Sequence, residues 1–193
     1  MRAQAHTLEG IAAAIILLSG VLFALQATAV TPITASTSNQ HIENQQAAVA
    51  EGTLAAAEAN GTLTPALLYW NTSGERFNGT GSDGVYANGG PPVPFGATLD
   101  RTFGAERVAF NVDIGYRTTG DGRGRIRMVY MGSPSDNAVA ATRTVVLFDD
   151  DPLGDGTGNV SAAAAGGGFY PGAVDAEGPL FGVMEVRIVV WRI

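Results

Sequence analysis

The sequence contains no cysteine, no lysine and only two histidines among its 193 residues. Without cysteine, a disulfide framework, a thiolate nucleophile and a cysteine-ligated metal are all excluded. The eleven basic residues are all arginines, and eighteen acidic residues give a net charge of −7. Because clustered positive charge drives binding to phosphate backbones, this acidic, lysine-free composition argues against nucleic acid as a partner.

Residues suited to catalysis are equally scarce. His6 precedes a long apolar run and His41 follows it, and the chain carries no nucleophile elbow and no phosphate-binding loop. The glycine-rich stretch 120–124 is typical of a hairpin turn, and no helix pattern follows it to bind a phosphate. We therefore expect no enzymatic activity.

The longest apolar run covers residues 11–30, behind a short N-terminal segment, residues 1–10. Twenty residues without a charge are enough for a helix to cross the ~30 Å core of a bilayer. A single-pass anchor would keep Arg2 in the cytoplasm and place the rest of the chain outside the cell. A secretory signal with a small-residue cleavage site at residues 27–29 is the alternative.

The residues before this run carry a third interpretation. Gln4, Thr7 and Glu9 precede the apolar helix in the order and residue types of the class III signal of archaeal type IV pilins and pilin-like proteins, which the N-terminus resembles. In that family a peptidase removes a short basic leader, and the hydrophobic helix stays on the mature protein. The resemblance implies a mature chain that starts at Gln4 or at Ala5.

The resemblance also implies a role for Glu9. In pilin-like filaments, a glutamate near the mature terminus is expected to pair with the free N-terminal amine of a neighbouring subunit. A carboxylate at the edge of an apolar helix costs free energy unless it finds a partner. The alternative is that Glu9 sits in the headgroup region and pairs with nothing.

Residues 31–61 predict a helical stalk rich in alanine, glutamine and glutamate. Pro32 would kink or break the helix near its start, and Gly61 would end it. An apolar seam repeats every seven residues at Ala35, Ile42, Val49 and Ala56. Such a narrow seam suits packing against one sheet face or against sister helices.

Residues 62–193 predict a β-rich head outside the cytoplasm. The stretch 62–100 is dominated by glycine, asparagine, serine and proline and predicts mostly irregular structure. Alternating apolar residues then predict a hairpin of strands over 107–117 and 124–131, and two further strands over 141–148 and 182–193. The expected fold class is α+β, with a long N-terminal helix packed by its second half on an antiparallel sheet of about four strands.

An acidic loop follows the third predicted strand and contains Asp149, Asp150, Asp151 and Asp155. Closely spaced oxygen ligands in a flexible turn are what Ca²⁺ requires, although the spacing does not match an EF-hand. A solvated acidic loop is the preferred interpretation, and a Ca²⁺ site is the alternative.

Two further surface features allow more than one interpretation. Arginines at 117, 123, 125 and 127 predict a basic stripe, which either pairs with Asp113 and Asp121 or recognises a partner. Four N-x-[ST] sequons at Asn60, Asn71, Asn78 and Asn159 are glycosylation candidates.

These patterns together favour a structural or adhesive pilin-like subunit of a surface filament or pseudopilus. Its expected partners are the membrane, other pilin-like subunits and a prepilin-peptidase-like processing enzyme. The runner-up is a non-polymerising, membrane-anchored surface protein whose β-rich head binds a ligand or partner. The acidic, lysine-free composition is also similar to that of halophile proteins, although high-G+C coding likewise replaces lysine by arginine.

Overall fold

A long helix and a four-stranded sheet dominate the protein. The computed structural model describes residues 2–104, 107–173 and 178–193 and, within the first helix, the side chains of 7–26 and 40–59. The chain divides into two compact units, Met1–Asn44 and Gln45–Ile193. The first unit is formed by the long helix, and the second contains the end of that helix and the whole sheet.

Helix α1 extends over Arg2–Ala59. The backbone is helical on both sides of Pro32, so the helix does not end there; the side chains of Pro32 and Ala35 lie outside the described residues. Gly61 ends the helix as predicted, with a φ of +63°. Its amide donates to the Glu58 carbonyl and the Thr62 amide donates to the Ala57 carbonyl, which is the hydrogen-bond pattern of a Schellman cap.

The buried face of α1 is not the predicted seam. Val49 is 43% exposed, and Ala56 also faces solvent. The buried side chains are instead Ala50, Thr53, Leu54 and Ala57. Their spacing of three and four residues follows the 3.6-residue helical period, whereas a seven-residue repeat drifts around a single helix.

The sheet confirms the predicted α+β class with four antiparallel strands. The strands are β3 (Val108–Thr118), β4 (Gly122–Tyr130), β5 (Val139–Phe148) and β6 (Leu180–Arg192), in the spatial order β4-β3-β6-β5. A tight 3₁₀ turn, Thr119–Asp121, joins β3 to β4. The predicted hairpin and both later strands are therefore present, each within a few residues of its predicted ends.

One face of the sheet supplies the core. Val112, Ile114, Met128, Val186 and Ile188 are almost fully buried there. The predicted apolar end of β5 behaves differently, because Val145 and Leu147 are buried whereas Val146 and Phe148 are 42% and 45% exposed. Side chains alternate between the faces of a strand, so a continuous apolar run does not place all of its members in the core.

The stretch 62–100 is more regular than its composition predicts. Helix α2 (Leu63–Leu68) and helix α3 (Pro94–Phe103) border a small hairpin of β1 (Trp70–Asn71) and β2 (Arg76–Phe77). Proline at the start of α3 occupies the helix position that tolerates it. Phe95, Leu99 and Phe103 then form its buried stripe. A last short helix, α4 (Val160–Ala165), precedes β6.

Candidate functional site

The N-terminal part of α1 presents an apolar surface. Thr7–Gln26 is long and apolar enough to cross a bilayer, and none of it is buried inside the protein. Leucine, isoleucine, valine and phenylalanine side chains there are between 55% and 74% exposed. By length and composition this segment is a candidate anchor, and a signal sequence near an N-terminus has the same character.

The residues that carry the pilin resemblance lie at the start of this helix. The side chains of Gln4 and Ala5 lie outside the described residues. Glu9 is described and exposed, two residues inside the apolar segment. Ser19 bonds its hydroxyl to the Ile15 carbonyl at 2.8 Å, which satisfies a polar group within the apolar surface by local bonding.

The other end of α1 is part of the head. Ala50, Leu54 and Ala57 belong to the same hydrophobic core as the inner face of the sheet. On the rim of this contact, Arg143 of β5 lies 3.5 Å from Glu58 and 3.8 Å from Glu51, measured between nitrogen and carboxylate oxygen. Packing fixes this part of the helix to the sheet, and the partly exposed ion pairs add little.

Two carboxylates of the predicted acidic loop, those of Asp151 and Asp155, accept hydrogen bonds from residues within or next to the loop. Asp151 accepts a hydrogen bond from the Phe148 amide, and Asp155 accepts from both the amide and the hydroxyl of Thr157. In the described part of the chain, no group of three or more histidine, aspartate or glutamate side chains is placed to hold a metal ion. The Ca²⁺ hypothesis therefore stays a prediction without a coordinating cluster behind it.

The electrostatics of Asp155 follow from these bonds. Partial burial opposes its ionisation, but hydrogen bonds from Thr157 and Asn78 outweigh that effect and lower the pKa of the Asp155 carboxyl. The loop is thus held in shape by an ionised aspartate. Asp150, like Asp155, is exposed to solvent.

The four sequons differ in how their asparagines are used. Asn78 donates from its side-chain nitrogen to the Trp70 carbonyl at 3.1 Å, and this nitrogen is the one that a glycan would modify. Asn71 and Asn159 accept backbone hydrogen bonds through their oxygens, from Gly74 and Ala162 respectively. Asn60 is exposed just beyond the end of α1. Among the predicted acceptors, Asn60 thus presents the least hindered site.

The arginines predicted to form a basic stripe do lie on one face of the sheet. Arg117, Arg123, Arg125 and Arg127 are all exposed, opposite the core. Arg117 pairs with Asp121 at 3.0 Å in the hairpin turn, and the Arg127 guanidinium lies 4.6 Å from the centre of the Tyr130 ring. Asp113 occupies the position on β3 opposite Arg127, and of the expected ion pairs of the stripe the structure shows that between Arg117 and Asp121.

An aromatic cluster that the sequence did not indicate joins distant parts of the head. Trp70, Phe77, Tyr116, Phe169 and Tyr170 contact one another with ring centres 4.6 to 6.3 Å apart. Burial, and then the neighbouring Tyr116, raises the pKa of the Tyr170 hydroxyl, so this group stays a hydrogen-bond donor. The residues of the aromatic cluster lie up to a hundred positions apart in the sequence, and no local spacing connects them.

One comparison with known proteins gives a match. The sequence model of a family described as Family of unknown function (DUF7288) matches residues 2–190, which is nearly the whole chain. No curated protein and no solved structure matches.

Proposed function

The chain belongs to the DUF7288 family, and we propose that it is a pilin-like structural subunit of a cell-surface filament or pseudopilus. The observation that carries the proposal is the difference in burial between the two parts of helix α1. Its segment Thr7–Gln26 is apolar and unburied, whereas Ala50, Leu54 and Ala57 are built into the core of the head. One helix thus provides both an anchor and the attachment of the head.

An unburied apolar helix needs an apolar surrounding, because exposing its surface to water costs about 25 cal/mol per Å². The bilayer provides that surrounding before assembly. In a filament core, the same surface of neighbouring copies provides it. Gly10 and Gly20 leave open space around their α-carbons, which lets another helix approach closely.

The role proposed for Glu9 is pairing with the N-terminal amine of a neighbouring copy after a prepilin-peptidase-like enzyme has removed the leader. In an apolar environment an ionised carboxylate strongly favours an opposite charge. Processing before Gln4 or Ala5 would create that amine five or four residues before Glu9. This proposal requires neither an enzymatic activity nor a bound cofactor.

The first experiment is to express the chain in an archaeal host that has a prepilin peptidase, and to measure its intact mass and N-terminal sequence. We expect a mature terminus at Gln4 or Ala5 and recovery of the protein in sheared surface filaments. An intact N-terminus together with an entirely membrane-bound protein would contradict the proposal.

The Glu9→Gln variant tests the assembly step separately. It should be processed and inserted normally, but its filament fraction should fall at least about tenfold, which corresponds to ~1.4 kcal/mol per subunit. Glu43→Gln, on the same helix but outside the apolar segment, is the matched control and should assemble normally. Equal filament yields for both variants would remove the proposed pairing.

A second candidate function is a non-polymerising, membrane-anchored protein whose head binds a partner. The arginine-lined face of the sheet favours it, since a cluster of exposed arginines on an otherwise acidic chain is suited to recognition. This candidate predicts an uncut N-terminus and no filaments, so the same mass measurement distinguishes the two.

A further inference from the structure

The outer face of the sheet contains a groove with an excess of positive charge. Arg125 of β4, Gly115 of β3, Glu185 of β6 and Thr144 of β5 lie side by side in one row across the sheet. Gly115 has no side chain, so the row is low at its centre. An open groove of about 470 Å³ lies over this row, and the Glu185 side chain borders the space beside Gly115.

Three guanidinium groups line this groove, which we call the arginine groove: those of Arg117, Arg123 and Arg125. Among the residues that the structure describes, Glu185 is the one carboxylate in its lining. Arg117 forms an ion pair with Asp121, and the side chains of Arg123 and Arg125 are exposed to solvent. In a chain of net charge −7, this concentration of arginine is a local reversal of sign.

Apolar side chains border the arginine groove on the same face. Val183 of β6 lies directly opposite Val146 of β5, and the two are 47% and 42% exposed. These two neighbouring aliphatic side chains give the face apolar area that a docked partner would bury. The groove therefore combines charge for recognition with apolar area for burial.

The acidic loop lies at the same end of the sheet but on the opposite edge. It starts directly after Phe148, which pairs with Leu180, and the β3–β4 hairpin turn lies at that end of the neighbouring strands. Strands β4 and β5 form the two edges, three strand spacings apart, which is about 14 Å. One edge of the head is thus marked by arginines and the other by aspartates.

We propose that the arginine groove receives the acidic loop, residues 149–155, of a second copy of this chain placed side by side with the first. The proposal rests on the proposed filament function and names the contact between heads in that filament. Each head would offer its arginine groove to one neighbour and its acidic loop to the other. In such a heterologous contact the two copies use different surfaces. An arginine groove stays free at one end and an acidic loop at the other, so the contact continues into an open filament instead of closing into a dimer.

Charge decides both the partner and the orientation. Two copies with net charge −7 repel each other in most orientations, and contact of one acidic loop with another is disfavoured. Placing aspartates against Arg123 and Arg125 converts that repulsion into attraction in a single orientation. Salt screens such a pair less once docking has excluded water from it.

The test is a charge reversal on each side of the contact, followed by their combination. Arg125→Glu and Asp150→Arg should each lower the yield of sheared filaments at least about tenfold, since each places like charges against one another. The double variant Arg125→Glu/Asp150→Arg restores opposite charges and should recover most of the yield. Asp150 is chosen because Asp151 and Asp155 hold the loop in shape.

Two further variants change the net charge by the same amounts elsewhere on the head. Arg192→Glu alters an exposed arginine at the far end of β6, and Asp136→Arg alters an exposed aspartate in the loop before β5. Both should assemble like the unchanged chain. A thermal unfolding curve for each variant verifies that the head is folded.

The outcomes separate the interface from the function. Processed chains that form filaments at full yield despite Arg125→Glu would overturn the interface and leave the filament function intact. Loss of filaments with Arg125→Glu that Asp150→Arg neither reproduces nor rescues would mean that the groove takes a different anionic partner, and would also overturn it. If the unchanged chain is uncut and forms no filaments, the proposed function fails and the interface fails with it.

Discussion

The indole ring of Trp70 stacks on the phenol ring of Tyr170, with ring centres 4.6 Å apart and planes inclined by 15°. Two hydrogen bonds reinforce the stack: Trp70 donates from its indole nitrogen to the Gly168 carbonyl at 2.7 Å, and Tyr170 donates to the Leu67 carbonyl at 3.1 Å. Trp70 is thereby bonded to the backbone two residues before Tyr170, and Tyr170 to the backbone three residues before Trp70. The contact fixes the chain after α2 to the chain after α4.

Tyr170 has an unusual backbone at this contact. Its φ is +44°, a conformation that costs a bulky residue of order 1–3 kcal/mol and persists only where packing enforces it. Its side chain is completely buried. The stack and the hydrogen bond are the interactions that offset the strain.

Replacing Tyr170 by phenylalanine should therefore destabilise the head. The ring remains, but the buried Leu67 carbonyl loses its donor, which costs about 1–3 kcal/mol. Denaturant unfolding of the full chain in detergent, followed by near-ultraviolet circular dichroism, measures the change. Tyr130→Phe, at a half-buried position on β4, is the matched control. It should change the unfolding free energy by less than about 0.5 kcal/mol. Equal stability of the two variants would contradict this role for the hydroxyl.

Two helical glycines should respond in opposite ways to alanine. A β-carbon on Gly96 of α3 would lie 1.8 Å from the Pro91 carbonyl oxygen, so the loop and helix would have to separate. A β-carbon on Gly52 of α1 meets nothing within 4 Å, and alanine is the better helix former by about 1 kcal/mol.

We expect Gly96→Ala to lower the thermal midpoint or prevent folding, and Gly52→Ala to raise the midpoint slightly. Differential scanning calorimetry of the two variants against the unchanged chain provides the comparison. A Gly96→Ala protein as stable as the unchanged chain would show that the close approach of α3 to Pro91 is not required.

The regular parts of the fold were predictable because their signals are local. Alternating apolar residues predict β3 and β6, and Gly61 predicts the end of α1 because glycine readily adopts the positive φ that ends a helix. The sequence does not indicate helix α3, because its apolar stripe begins inside the loop-rich segment and ends just before the first predicted strand. The seven-residue repeat predicts the wrong face of α1, because the helix buries residues that are spaced by three and four positions.

The candidate sites were predictable only as lists of residue types. Sequence placed arginines on one face of a hairpin, but the groove arises because β6 and β5 bring Glu185 and Thr144 beside them. The Trp70–Tyr170 stack joins residues a hundred positions apart, and no spacing rule connects them. Contacts made by the topology of the sheet, and not by neighbouring residues, escape inference from sequence.

The contribution of α1 to the head can be measured by truncating two of its side chains. Leu54 is fully buried in the core, and its replacement by alanine should cost about 2–5 kcal/mol. Val49, five residues earlier, is 43% exposed, and Val49→Ala should cost less than about 0.5 kcal/mol. Chemical denaturation of both variants gives the two values. Similar costs at the two positions would mean that this helix end is not packed as described.

The hydroxyl of Thr157 should control the ionisation of Asp155. It donates to the carboxylate at 2.6 Å, and its loss in Thr157→Ala leaves the amide of the same residue as a donor at 3.0 Å. The pKa of Asp155, which these bonds lower, should then rise toward the ordinary aspartate value of about 3.9. Carboxyl carbon chemical shifts, followed by NMR during an acid titration, report it directly.

The lowered pKa also predicts the direction of a pH effect. Because the folded pKa lies below the unfolded one, the stabilisation from Asp155 is complete above the unfolded value of about 3.9 and is lost as the pH falls through the folded value. The Thr157→Ala protein should thus lose less stability than the unchanged chain over that acidic interval, while Thr142→Ala on β5 should behave like the unchanged chain. A Thr157→Ala titration that matches the unchanged one would show that the amide alone holds the Asp155 carboxylate.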